Sequence, residues 1–113
     1  MEKEALKHFG VPIHLKAYGY LKWLLENKNN IDIPDTAEGI YTVIAKQFNC
    51  GSFNIENNIR SCCKYIVDNM PPEKLYALFG DTLKCSGNCY KLQNKVLMLS
   101  IIDYLTQLET NNK

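Results

Sequence analysis

In the stretch IYTVIAKQFNCGSFNIENNIRSCCKYIVD, Ile40 to Asp68, apolar residues recur every three to four positions, lapse over Asn49-Cys50-Gly51, and resume. The spacing predicts two helices, Ile40 to Phe48 and Ser52 to about Asp68, joined by a tight turn containing Gly: a helix-turn-helix. Asn49 and Gly51 both tolerate the left-handed backbone that a helix exit requires, and Ser52 is placed to cap the second helix through its hydroxyl. Wound at about 100° per residue, that helix turns Ile55, Ile59, Cys62 and Ile66 inward, with Cys63 beside them. Phe53, Asn57, Arg60 and Lys64 form the opposite stripe, flanked by Glu56 on one side and by Asn54 and Ser61 on the other. Amides, a guanidinium and a carboxylate are the groups that fork onto base edges, and ammonium groups sit on phosphates. The plainer reading of the same stripe is a solvated helix face.

The rest of the chain reads as support for this pair. Glu2 to Phe9 is an opening helix, stopped by Gly10 and Pro12. His14 to Asn27 is amphipathic through Leu15, Tyr18, Leu21 and Leu25, with Trp23 and Leu24 adding bulk, and its internal Gly19 suggests a close helix crossing. Lys28 to Asp35 is a polar loop, after which Asp35 or Thr36 caps the next helix. That helix buries Ile40, Tyr41, Ile44, Ala45 and Phe48 and points Lys46 and Gln47 outward. Pro72 opens a short helix ended by Gly80, and Asp81 to Lys91 is read as a loop. Gln93 to Leu108 is apolar around much of its circumference, which suits a helix central to the core or one meeting a second chain. The tail ETNNK is expected to fray. No strand signal stands out, so the expected class is all-α, one domain over residues 1–113.

Charge qualifies the picture. With 13 Lys and Arg against 12 Asp and Glu, the formal net charge is +1, so a nucleic-acid partner needs a local basic patch. No run of eighteen apolar residues is present and the N-terminus MEKEALKHFG has no apolar signal core, so a cytoplasmic protein without membrane contact is expected. Its five cysteines are then expected to be free thiols. Cys85 and Cys89 form a C-x3-C pair, but no second pair of metal-ligand spacing accompanies it, so no metal is expected. Air oxidation could join those two. No paired carboxylates, Ser-His-Asp set or phosphate-cradling glycine loop occurs, so neither catalysis, a cofactor nor a small-molecule substrate is expected.

Four separated segments carry a resemblance: GVPIHLKAYGYL at Gly10 to Leu21, IYTVIAKQFN at Ile40 to Asn49, IENNIR at Ile55 to Arg60, and LFGDT at Leu78 to Thr82. Together they resemble the C-terminal DNA-binding domain of stage zero sporulation protein A, over about Gly10 to Leu105, with a shorter loop near Asp32 to Asp35 and a longer one near Cys85. The resemblance implies about six helices around a helix-turn-helix, without a sheet. It also implies that the second helix of the motif enters the major groove of double-stranded DNA, with paired domains on neighbouring half-sites. His14, in the Gly-Val-Pro-x-His segment, is expected to be structural.

The family's base-reading positions fall on Asn54, Glu56, Asn57 and Arg60. Glu56 and Arg60 keep the family's residue types, whereas Asn54 and Asn57 stand where the family has arginines, and Phe53 where it has a small polar residue. An Asn pairs with adenine as an Arg pairs with guanine, but without the charge. The chain therefore either reads a more A·T-rich site or binds DNA weakly or not at all. The expected DNA-binding set is Ser52, Asn54, Glu56, Asn57, Arg60 and Lys64 on the recognition helix, with Lys46 and Gln47 before the turn. The competing expectation is a protein-interaction module that pairs with itself or with a full-length regulator. The family carries a phosphoacceptor domain ahead of this one, and Met1 stands nine residues ahead of the match; if Met1 is the natural start, switching by the chain's own phosphorylation is not expected.

Overall fold

The apolar repeat does become helix, and a computed structural model describes residues 1–87 and 89–111. Among the described residues the helices are α1 Glu2–His8, α2 Lys16–Glu26, α3 Ala37–Phe48, α4 Ser52–Asn69, α5 Pro72–Phe79 and α6 Asn94–Asn111. A 3-10 turn, Gly80–Thr82, follows α5. The class is mainly all-α, and none of these helices is long and apolar enough to cross a membrane.

Local chemistry sets the boundaries. After α1, Gly10 takes φ +77°, and a side chain there would stand 2.9 Å from Met70 Cε, so the chain reverses where only glycine is unstrained. The Thr36 hydroxyl accepts a 3.0 Å hydrogen bond from the Gly39 N–H and starts α3. This start lies three residues ahead of Ile40. Pro72 occupies the first position of α5, where its missing N–H has no helical partner to lose.

α4 is the hub, packing against α2, α3 and α6. Ile55, Ile59, Cys62, Cys63 and Ile66 are all buried, in one cluster with Leu21, Leu24, Ile44, Leu97 and Ile101. Each buried aliphatic side chain of this kind contributes about 1.5–3 kcal/mol relative to exposure, so the inward stripe fixes which way the other stripe faces.

Several expectations are corrected. Asp81 to Lys91 is not all loop: β1, Lys84–Ser86, pairs antiparallel with β2, Cys89–Lys91, and β2 lies against α4. The register pairs Ser86 with Cys89, so a two-residue link Gly87-Asn88 joins the strands, and Gly87 at φ +62° provides the sense of turn a hairpin needs. Asn88 lies outside the described residues. Nothing lies within 4 Å of a side chain built at Gly19, so no helix crosses closely there; the close approach is at Gly39, where a Cβ would meet Pro34 at 2.5 Å. Phe48, expected inside, is 40% exposed. It ends α3 beyond the core and covers Tyr20 and Trp23, with ring centroids 4.9 and 6.3 Å away.

The C-terminal helix also differs. α6 buries one side, Leu97, Met98, Ile101 and Leu105, and leaves Leu99 exposed. It continues through Glu109 to Asn111, and Glu109 Oε1 meets Lys28 Nζ at 2.7 Å, with the Lys28 side chain only 9% exposed. Residues 112 and 113 of the expected frayed tail lie outside the described residues.

Candidate nucleic-acid interface

The turn between α3 and α4 aims the second helix. Asn49 adopts the left-handed conformation, φ 52° and ψ 51°, and Cys50 N–H returns to the Ala45 carbonyl at 3.1 Å. Gly51, expected to be left-handed as well, has φ −81° and is itself the residue before the helix. The Ser52 hydroxyl makes no capping bond, contrary to expectation, because Ser52 is already the first helical residue. Its hydroxyl is left for other partners. It borders a shallow hollow with Thr42, Lys46, Asn49 and Cys50 at the N-terminus of α4, where unpaired helical N–H groups favour an anion. Lys46 and Gln47 are both exposed on the last turn of α3, but Gln47 does not border the hollow.

Along α4 the outward side chains form a linked set. Arg60 Nη2 lies 2.5 Å from Glu56 Oε1, and Nη1 donates to Asn57 Oδ1 at 3.1 Å. The guanidinium is thereby held along the helix, although the Arg60 side chain is 62% exposed. An exposed pair of this spacing is worth about 0.3–0.5 kcal/mol, against roughly 1–3 kcal/mol for a bidentate base contact. A base can therefore take Arg60 from Glu56 at small cost. Asn57 already accepts through Oδ1, whereas the Asn54 side chain has no hydrogen-bond partner among the described residues and is exposed. Asn54 is thus the amide whose donor and acceptor are both open, as a bidentate adenine contact requires. Lys64, one turn beyond Arg60, is exposed and has no ion pair among the described residues. Phe53, in the first turn, is 69% exposed.

Asn94, which the sequence did not single out, holds this helix in place. At the start of α6 its Nδ2 donates to the Tyr41 hydroxyl at 3.0 Å and to the Glu56 backbone carbonyl at 3.1 Å. One amide so joins α3, α4 and α6 behind the outward stripe. Burial raises the Tyr41 phenol above its ordinary value, while the Asn94 bond acts against that. His14, before α2, packs edge-on to Tyr65 of α4 with centroids 5.5 Å apart.

The cysteines divide by environment. Burial pushes the thiols of Cys62 and Cys63 up to about 12, and Cys50 is half-buried at the turn. Cys85 and Cys89 are exposed free thiols. In the ladder Cys85 faces Tyr90 and Cys89 faces Ser86, so the two project from opposite faces of the hairpin. The disulfide considered between them would have to break this register.

No curated protein matches the chain. The family model for the sporulation initiation factor Spo0A C terminal matches residues 3–105, taking in all of α1 but Glu2 as well as the segments that carried the resemblance. With α4 central and its polar stripe outside the core, the chain belongs to this family of DNA-binding effector domains of sporulation control, which is a regulatory and not an enzyme family.

Proposed function

We propose that this chain is a sequence-specific DNA-binding transcriptional regulator, a single domain that inserts α4 into the major groove of double-stranded DNA. Asn54, Glu56, Asn57 and Arg60 read base edges: Arg60 takes guanine, Asn54 adenine, and Glu56 accepts from a cytosine amino group. Lys46, Ser52 and Lys64 sit on phosphates, and Gln47 contacts the backbone beside the turn. The observation that carries the reading is the division of α4 into two stripes. One is wholly buried, and the other presents a linked Glu56-Asn57-Arg60 set beside an Asn54 whose side chain has no hydrogen-bond partner among the described residues. Two asparagines in place of the family's arginines shift the expected site toward A·T pairs and lower the number of counterions released.

The test is enrichment of duplexes from a randomised pool, followed by titration of the preferred and a scrambled duplex at several salt concentrations. The reading expects an enriched sequence containing adenine and guanine positions, and loss of the preference in Arg60→Ala. Absence of any enriched sequence would count against sequence reading, and absence of binding at low salt against DNA as the partner.

A second reading is favoured by Phe53, which at 69% exposure is a large apolar side chain on the outward stripe. In a duplex it meets a thymine methyl; in a protein pair it is an apolar anchor for a second copy or a full-length regulator. Light scattering with and without duplex, and with and without a family regulator, separates them, since pairing through Phe53 requires a dimer in free protein or a complex with the regulator that Phe53→Ser abolishes.

A further inference from the structure

The hairpin brings two lysines together where a fold has no need of them. Lys84 of β1 and Lys91 of β2 are directly opposite in the register, and both are exposed. Directly opposed residues share a face with their Cβ atoms about 4.5–5.5 Å apart, and like charges so placed destabilise a ladder. No carboxylate among the described residues forms an ion pair with either lysine. β2 packs on α4, and Lys91 lines a groove with Arg60 and Lys64 of that helix. Asp68, one turn beyond Lys64, is the one carboxylate lining it, so three cations face one anion. Lysines also guard exposed strand edges against pairing. That role does not account for Lys91 lining a groove with Arg60 and Lys64, with Lys84 directly opposite it in the ladder.

We propose that the hairpin is a phosphate-gripping wing. Lys84 and Lys91 take the DNA backbone alongside the base-reading helix, and the duplex supplies the anion that relieves their mutual repulsion. This inference rests on the reading of α4 as a DNA-binding helix. It adds a contact region some twenty-five residues further along the chain and assigns it a sequence-independent task. It also gives a chain with a net charge of only +1 the local basic patch that DNA binding requires.

The experiment compares wild type with the double variant Lys84→Gln/Lys91→Gln, titrating the enriched duplex and a scrambled one over a series of salt concentrations. Each phosphate contact contributes about 0.9 to the slope of log affinity against log salt, so two lost contacts flatten it by about 1.8. The expected result is that flattening, with affinity for both duplexes falling by the same factor and the ratio between them preserved. A thermal melt checks the fold, and the variant should melt no lower than wild type because a repulsive pair has been removed. An unchanged slope and affinity in the folded variant would overturn the wing while leaving α4 as the reader. Failure of wild type to bind either duplex at low salt would overturn both.

Discussion

The guanidinium of Arg60 lies 2.5 Å from the carboxylate of Glu56, one turn earlier on the same exposed helix face. In free protein this contact keeps the cation along α4, and it sets a carboxylate where a phosphate or base would approach. On the proposed DNA-binding reading, Glu56 would therefore restrain indiscriminate binding as well as read a base. Replacing it with Gln should strengthen binding to unrelated duplexes by roughly fivefold, the equivalent of about 1 kcal/mol for one unit charge near 4 Å in water. The same change should reduce the ratio between preferred and unrelated sites. Fluorescence anisotropy on both duplexes measures this, and an equal or larger ratio in Glu56→Gln would contradict it.

Asn94 supports a second expectation, one of stability. Asn94→Ala removes two hydrogen bonds: the Tyr41 hydroxyl loses its donor, and the Glu56 carbonyl, which lies within α4, loses its link to α6. Stranding the Tyr41 hydroxyl costs about 1–3 kcal/mol. Urea unfolding should register that loss, and the Tyr41 phenol should titrate higher still once the bond that lowers it is gone. A loss below about 0.5 kcal/mol, within the range of ordinary surface changes, would show that the amide does not hold the helices together.

Alkaline pH should weaken the fold through Cys62 and Cys63. Both are buried, and burial raises them from the ordinary 9.0 to about 12, with Cys62 adding to the effect on Cys63. A folded value above the unfolded one means that stability is full below pH 9 and declines as pH rises toward 12. The slope is at most about 1.4 kcal/mol per pH unit for each thiol. Tyr41 and Tyr20, raised above 10.0 chiefly by burial, act in the same direction at higher pH. Urea midpoints measured across the alkaline range check this, and midpoints that stay level above pH 9 would contradict it. At neutral pH, alkylation should reach Cys85 and Cys89 in the folded protein but Cys62 and Cys63 only on unfolding.

The elements that sequence reasoning located are those with long periodicity. The stripe Ile55, Ile59, Cys62, Ile66 is buried throughout, since an eighteen-residue helix leaves little doubt about its inner side. Arg60 meeting Glu56 and Asn57 follows from spacings of four and three. Phe48 fits the same period, but position decides its fate: it is the last residue of α3, where the core has ended. The hairpin was missed because three-residue strands are too short to show alternation, and the Gly87-Asn88 pair was the signal available. Asn94 offered no signal at all. Its partners are 53 and 38 residues away, and only the packing of α6 across α3 and α4 brings them together.

Titrating the enriched duplex into uniformly 15N-labelled protein at low salt tests most directly whether α4 is the DNA-reading surface. Backbone resonances of Asn54, Glu56, Asn57 and Arg60 and the side-chain nitrogens of the two asparagines and Arg60 should shift most, with Lys46, Gln47, Ser52 and Lys64 around them, while Ile13, 79% exposed between α1 and α2, stays still. Shifts centred on Ile13 or on Leu99, with the α4 stripe unmoved at saturation, would contradict the account.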